Sequence, residues 1–132
     1  MGTVNVIDYV TIASVGNATD FGDLTTSDQN RGGTSNGTRG VIGGGWTTPN
    51  PADEINYFTI SSLGNATDFG DLTVARDCAS DCADCNGTRA CFGPGGADDD
   101  MIDYITVASA GNATDFGDTT IGAYARGACS GD

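Results

Sequence analysis

Histidine and lysine are both absent from this chain of 132 residues, and all five of its positive charges are arginines. Histidine is the commonest general base in enzymes and lysine forms Schiff bases with carbonyl substrates, so two frequent catalytic residues are missing. Eighteen carboxylates leave a formal net charge of −13. Nucleic acids and anionic membranes bind basic surfaces, so neither is expected as a partner. No apolar run is long enough to cross a bilayer, and we expect no membrane insertion.

What the chain does contain is an internal repeat. The octapeptide Gly-Asn-Ala-Thr-Asp-Phe-Gly-Asp occurs three times without a mismatch, at residues 16–23, 64–71 and 111–118. Self-similarity at a period of about 20–50 residues is typical of repeat architectures. A catalytic site is normally built once, so an element copied three times indicates a scaffold or a multivalent surface. We therefore expect no enzyme and no catalytic residues. The paired aspartates of each copy would in principle suffice for glycoside hydrolysis, but their repetition favours a structural role.

The residues around each octapeptide predict short β-strands. An alternating segment rich in β-branched and aromatic residues precedes each copy, at residues 7–14, 55–62 and 102–109. The Gly-Asn pair then favours a tight turn, and the rest of the octapeptide favours a second strand. We expect the phenylalanine of this second strand to be a core anchor in every unit. The three anchors are Phe21, Phe69 and Phe116.

A further strand begins at Thr-Arg in the first two units and ends in glycines, at residues 38–45 and 88–96. No stretch of the chain has helical periodicity. The sequence therefore predicts an all-β fold with about four short strands per unit. We expect one repeat domain over residues 1–132, with three tandem units at about 1–45, 46–96 and 97–132.

This order of elements resembles the kelch type of β-propeller blade. An arginine, a glycine-ended strand, a loop, an aromatic strand and another strand follow one another over nearly 50 residues. The longer motif, with Ile-x-Tyr-x-Thr before each octapeptide, is similar to a tandem repeat in structural proteins of aquatic and cyanobacterial phages. The resemblance implies propeller-blade-like units and a structural role in a virion appendage or an extracellular filament.

Three units are too few for an ordinary closed propeller, which has about four to eight blades. The chain begins with an Ile-x-Tyr strand and stops before a third Thr-Arg strand. Its two ends are therefore different and mutually complementary parts of the repeat. We expect the partner to be a second copy, in a head-to-tail filament or in a ring closed by two subunits. The alternative is a lectin-like module that binds surface glycans. Its aromatic stacking surfaces would be Tyr9, Tyr57, Tyr104 and Trp46.

The arginines recur at related places in the repeat. Arginine forms bidentate pairs with carboxylates, whereas a merely solubilising surface would also use lysine. We therefore expect structural arginines that pair with the repeated aspartates and join neighbouring units, with ligand binding as the alternative. These residues are Arg31, Arg39, Arg76, Arg89 and Arg126.

Each octapeptide also places oxygen ligands around its predicted turn. Calcium takes six to eight oxygen ligands, so it is the one cofactor that this pattern suggests. The competing interpretation is that the same side chains cap the turn and pair with arginine. The calcium candidates are Asn17, Asp20, Asp23, Asn65, Asp68, Asp71, Asn112, Asp115 and Asp118.

Five cysteines are present: Cys78, Cys82, Cys85, Cys91 and Cys129. We expect the four clustered ones to form disulfides in an oxidising environment, with zinc as the alternative, because their spacing lacks two clean Cys-x-x-Cys pairs. Five Asn-x-Thr sequons would be glycan acceptors in a secreted eukaryotic chain, although asparagine also suits the turns. They start at Asn17, Asn36, Asn65, Asn86 and Asn112. Disulfides favour an extracellular location, and the resemblance to phage structural proteins implies a virion.

Overall fold

The computed structural model describes residues 3–77, 83–95, 100–122 and 127–129. These residues form twelve β-strands and no helix, so the all-β prediction is confirmed and none of them belongs to a helix able to cross a membrane. The strands are β1 (Val4–Tyr9), β2 (Thr19–Asp28), β3 (Gly32–Ser35), β4 (Arg39–Gly43), β5 (Trp46–Thr47), β6 (Asn50–Pro51), β7 (Glu54–Thr59), β8 (Thr67–Asp71), β9 (Ala83–Cys85), β10 (Arg89–Phe92), β11 (Met101–Thr106) and β12 (Thr114–Asp118).

Two four-stranded antiparallel sheets make up most of the structure. The middle sheet has the order β3-β4-β7-β8, and the last sheet has the order β9-β10-β11-β12. Strands β1 and β2 form a half-sheet, which corresponds to the final two strands of each larger sheet. A small hairpin, β5-β6, is inserted between β4 and β7. Each larger sheet has four short strands, two from one predicted unit and two from the next, and below a unit means one of these sheets or the half-sheet.

The octapeptide forms the same β-bulge in all three units. In the half-sheet the register steps from Ile7↔Gly22 to Asp8↔Asp20, which leaves Phe21 as the extra residue. The same step leaves Phe69 and Phe116 unpaired in the other two copies. The glycine after each phenylalanine has a positive φ, with values of 153°, 140° and 138° at Gly22, Gly70 and Gly117. The Phe-Gly pair is therefore a bulge in which glycine supplies a conformation that other residues adopt at a cost.

The turn between the paired strands lies earlier than predicted. The N–H of Ser62 donates to the carbonyl oxygen of Thr59 at 3.1 Å, and this closes the turn directly after β7. The other two units have the same bond, from Ser14 to Thr11 and from Ser109 to Thr106. The prediction of a tight turn at Gly-Asn is therefore wrong. That pair lies beyond the turn, beside the preceding unit.

The core lies mainly between the middle and last sheets, where β3 packs against β9. Its buried side chains are Val41, Ile55, Phe69, Leu72, Ala83, Ala90, Phe92, Ile105 and Val107. The half-sheet adds Phe21, whose ring lies 5.1 Å from that of Phe58 between centroids. Phe21 therefore packs against the unit that follows it, and Phe69 lies in the core that the middle sheet shares with the last sheet.

The third predicted anchor is wrong. Phe116 is 57% exposed, whereas Phe21 and Phe69 are 8% and 3% exposed. Among the described residues no unit packs against the outer side of β12, so nothing covers the Phe116 ring as the next unit covers the other two. Ile12 and Ile60 are also exposed, whereas their counterpart Val107 is buried.

Candidate functional site

The units are joined by main-chain hydrogen bonds between consecutive octapeptides. The N–H of Gly64 donates to the carbonyl oxygen of Phe21 at 2.9 Å, and the N–H of Ala66 donates to that of Asp23 at 2.8 Å. The next pair of units repeats both bonds, from Gly111 to Phe69 at 2.7 Å and from Ala113 to Asp71 at 2.8 Å. We call this arrangement the octapeptide junction. Its main-chain donors are the glycine and alanine of one Gly-Asn-Ala segment, and its acceptors are the phenylalanine and aspartate carbonyl oxygens of the preceding Phe-Gly-Asp segment.

The octapeptide asparagine adds a side-chain bond to each junction. Asn65 Oδ1 accepts from the N–H of Asp23 at 3.1 Å, and Asn112 Oδ1 accepts from the N–H of Asp71 at 3.2 Å. No described residue makes the equivalent contact with Asn17, which is exposed. The asparagine oxygen of two calcium candidates is thus directed at the preceding unit. No group of three or more acidic, cysteine or histidine side chains suited to a metal occurs among the described residues, and calcium stays a prediction.

The octapeptide glycine is needed because two chains approach closely there. A Cβ on Gly22 would overlap the carbonyl group of Gly64, and one on Gly70 would lie 2.6 Å from the carbonyl carbon of Gly111. A Cβ on Gly117 would meet no atom within 4 Å. Three identical glycines therefore have different surroundings, and only the first two are enclosed by a junction.

Replacing Gly70 with alanine should destabilise the protein by about 1–3 kcal/mol more than replacing Gly117. Both substitutions force a side chain into positive φ, so the difference isolates the clash with the following unit. Urea denaturation of the two variants and the parent, at a concentration where all are monomeric, measures it. Equal losses of stability would contradict the close approach at Gly70.

A buried polar contact lies next to each octapeptide junction. Thr25 donates to Asn56 Oδ1 from its N–H at 3.1 Å and from its hydroxyl at 2.6 Å. Thr73 makes the equivalent bonds to the Asp103 carboxylate, at 3.0 and 2.6 Å. Asn56 and Asp103 are both fully buried. Their counterpart in the half-sheet, Asp8, is exposed, because no described unit offers it a threonine.

Two arginines pair with carboxylates as the sequence predicted. Arg76 is 2% exposed, and its Nη2 lies 2.8 Å from Asp103 Oδ2. The same guanidinium donates to the carbonyl oxygens of Gly93 at 3.2 Å and Met101 at 2.9 Å, and so attaches the middle unit to the last sheet. Arg31 is also largely buried and pairs with Asp28 and, at 3.8 Å, with Glu54 of the middle sheet.

The other two described arginines behave differently. Arg39 and Arg89 lie over the rings of Tyr57 and Tyr104, each 4.6 Å from the centroid. Arg39 Nη1 also donates to the carbonyl oxygen of Val107 in the last sheet, at 3.0 Å. Arg89 is exposed and forms no ion pair with a described residue, so its expected burial against an aspartate is wrong. Arg126 lies outside the described residues.

Several acidic side chains lie near the junctions, and burial, hydrogen bonds and neighbouring charges shift the pKa of two of them. Burial raises the pKa of Asp71, and the nearby carboxylates of Asp53, Asp68 and Glu54 raise it further. Burial alone would also raise the pKa of Glu54, but hydrogen bonds from Thr25, Thr26 and Asn56 and the charge of Arg31 lower it overall.

The Asp71→Asn variant should be more stable than the parent at neutral pH. Because folding raises the pKa of Asp71, its ionised form lowers stability above that pKa, and the penalty disappears once the carboxyl is protonated. Thermal melts at neutral pH and at pH well below the carboxyl range compare the two proteins, and the advantage should vanish in acid. A variant that melts lower than the parent at neutral pH would show that the Asp71 carboxylate stabilises the fold.

The described cysteines carry free thiols. Cys85 and Cys91 are half-buried and Cys129 is exposed, so the disulfide prediction is wrong for Cys85 and Cys91. Cys85 lies opposite Ala90, whereas Cys91 lies opposite Asp84, so the two thiols point to opposite faces of the last sheet. Burial raises the pKa of Cys91. No zinc-like cluster occurs among the described residues, and Cys78 and Cys82 lie outside them.

Two of the sequon asparagines shape hairpin turns. Asn36 Oδ1 accepts from the N–H groups of Thr38 and Arg39 at 3.0 and 2.9 Å. Asn86 makes the same two bonds, to Thr88 and Arg89, at 3.1 and 2.9 Å. These side chains form the turns β3-β4 and β9-β10, as asparagine commonly does. Glycosylation of the five sequons stays a prediction.

Each unit also contains an equivalent open cleft beside its tyrosine. The cleft of the middle sheet has a volume of about 380 Å³, that of the last sheet about 420 Å³ and that of the half-sheet about 150 Å³. All three share a tyrosine, two threonines, a serine, a glycine and the octapeptide asparagine. In the middle sheet these are Tyr57, Thr59, Ser62, Gly64, Asn65 and Thr67. The clefts are polar and repeated, so they are the second candidate site.

No protein-family model matches this chain, and no curated protein is detectably similar to it. The geometry of the chain itself defines the two candidate sites.

Proposed function

We propose that this chain is a non-enzymatic structural repeat protein that assembles head-to-tail, through strand pairing, into a virion appendage or an extracellular filament. The observation that carries the proposal is the octapeptide junction, which occurs twice with the same donors and acceptors. Each octapeptide offers donors to the unit before it and acceptors to the unit after it. Such an interface is heterologous, so it can continue from one copy to the next.

The junction is also suited to joining separate chains because it covers a strand edge. An uncovered edge offers main-chain groups that pair readily with another molecule. A filament and a ring closed by several copies use the same contact, and the rotation between neighbouring copies decides between them. The net charge of −13 per copy opposes association at low salt, because repulsion between like charges then extends over a longer distance.

Light scattering and electron microscopy of the purified chain test the proposal. We expect the average mass to rise with protein concentration, and to rise further when salt screens the acidic surfaces. Growth without a limit indicates a filament, and a plateau at a small whole number of copies indicates a ring. A chain that remains monomeric at high protein and high salt would remove the proposal.

A second candidate is a glycan-binding, lectin-like module, and the three equivalent clefts favour it. Each offers hydroxyl and amide groups beside a tyrosine, which suits a neutral sugar. However, Arg39 and Arg89 already lie over the tyrosines of the larger sheets, which leaves less free ring surface for stacking. A glycan array tests this candidate, with Tyr57→Ala and Tyr104→Ala as controls for the clefts. Binding that both variants lose would favour it, and an array without hits would exclude it for the glycans tested.

A further inference from the structure

We propose that two specific surfaces join neighbouring copies: a tail face on the outer edge of β12, and a head face formed by the half-sheet of a second copy. This inference rests on the proposed function and names the residues that would carry it. The two surfaces are the unmatched halves of the octapeptide junction already present twice inside each chain.

The tail face lacks the neighbour that its counterparts have. In the middle sheet, the carbonyl oxygens of Phe69 and Asp71 and the N–H of Asp71 all bond to the following unit. Among the described residues none occupies the equivalent place beside Phe116 and Asp118, and the space around Gly117 is open. An apolar ring and three main-chain groups therefore lie together, uncovered, on one edge.

The head face has the matching deficit. The N–H groups of Gly16 and Ala18 bond to no described residue across a junction, although their counterparts at 64, 66, 111 and 113 do, and Ala18 is exposed whereas Ala66 and Ala113 are half-buried. Val10 is 57% exposed, whereas Ile105, at the same place in the last sheet, is 3% exposed and part of the core. Asp8 is exposed, whereas Asp103 is fully buried beneath Thr73. Polar and apolar groups that a preceding unit would cover are thus collected on this face.

The occupant follows from the correspondence between the two faces. The N–H groups of Gly16 and Ala18 match the carbonyl oxygens of Phe116 and Asp118, as in both internal junctions. Outside the octapeptide, Thr120 matches Asp8 as Thr73 matches Asp103. Arg89 matches the carbonyl of Ile12 as Arg39 matches that of Val107. These groups are missing from one face and present on the other, so we assign the occupant as a second copy of this chain.

The contact between copies should be weaker than the internal junction of the two larger sheets. The half-sheet has only the counterparts of β11 and β12, so it brings nothing equivalent to Ala83, Ala90 and Phe92. Less apolar surface is buried as a result. Association should therefore be reversible and depend on concentration, with no change in the fold of each copy.

Complementary variants test the assignment. Gly117→Ala places a methyl group where the second copy's Gly16 would lie and blocks the tail face. Ala18→Pro removes the N–H that would bond to Asp118 and blocks the head face, at an exposed position outside the strands. A contact needs one intact tail face and one intact head face, and each variant alone supplies only one of the two. Each variant should therefore associate at least about tenfold more weakly than the parent. Mixed in equal amounts, they should form a heterodimer that stops at two copies.

Sedimentation velocity, with one variant labelled, distinguishes the outcomes. Heterodimers in the mixture and monomers in each separate sample support the assignment. If either variant assembles like the parent, these faces are not the interface, although head-to-tail assembly through another surface would survive. A parent chain that never associates overturns the assignment and the proposed function together. Circular dichroism confirms that each variant folds, and Phe116→Asp blocks the tail face without changing Gly117, should the alanine variant be unstable.

Discussion

Replacing Phe69 with alanine should lower the free energy of unfolding by about 3–5 kcal/mol. The ring is 3% exposed and lies in the core between the middle and last sheets. It also contacts the edge of the Tyr57 ring, with 5.8 Å between centroids. Deleting a large buried side chain removes its transfer free energy and leaves a cavity that the surroundings fill only in part. Urea denaturation monitored by tyrosine and tryptophan fluorescence gives the value.

The same octapeptide supplies a matched control for this measurement. Phe116 occupies the identical sequence context and the identical bulge, and keeps the tyrosine contact, yet it is 57% exposed. The Phe116→Ala variant should therefore lose about 1 kcal/mol or less in the monomer. Similar losses at the two positions would mean that Phe116 is covered in solution. If coverage came from a second copy, the Phe116 loss would grow with protein concentration.

Replacing Arg76 with methionine should also destabilise the protein by about 3–5 kcal/mol. Methionine keeps much of the volume but removes the charge, so the Asp103 carboxylate is left in a fully buried place without its ion pair. Carbonyl groups of Gly93 and Met101 lose their donor as well. Chemical denaturation compares this variant with Arg89→Met, which removes an exposed arginine and should cost about 1 kcal/mol or less.

A double variant separates the charge from the packing. Combining Arg76→Met with Asp103→Asn removes the unpaired carboxylate, and the structure already tolerates a buried asparagine at the equivalent Asn56. The double variant should therefore be more stable than Arg76→Met alone. If the second change lowers stability further, or if Arg76→Met is as mild as Arg89→Met, the buried ion pair does not hold these units together.

These contacts offer a physical reason for an octapeptide that repeats without a mismatch. In each internal junction the Gly-Asn-Ala residues supply donors and an amide acceptor, while Phe-Gly-Asp supplies two carbonyl acceptors, a donor and a buried ring. Each copy takes part in two junctions when units lie on both sides, so most of its positions contact a neighbour. A change in one copy would disturb the unit before it, the unit after it, or both.

The turn and the asparagine were misinterpreted from sequence for one reason. Asn65 bonds to Asp23, 42 positions earlier in the chain, and Asn112 bonds to Asp71, 41 positions earlier. Local preference assigns Gly-Asn to a turn, since both residues tolerate positive φ. The residues next to Gly-Asn in the sequence do not show that the neighbouring unit lies close enough to form hydrogen bonds with this pair. The spacing of the repeats was the available signal, because it places identical motifs at nearly equal intervals.

The sequence by itself determined that the chain is all-β, that its units have about four strands, and that octapeptide phenylalanines and some arginines serve the structure. Those properties follow from alternation, β-branched residues and glycine placement, which act over a few residues, and from the repeat, which can be read directly from the sequence. Only the tertiary structure decided which of three identical phenylalanines is exposed, which arginines pair with carboxylates and where the bulge lies. Those outcomes depend on whether another unit lies against a given edge. Identical octapeptides cannot encode that difference, because burial and hydrogen bonding across a junction belong to the pair of units and not to either one.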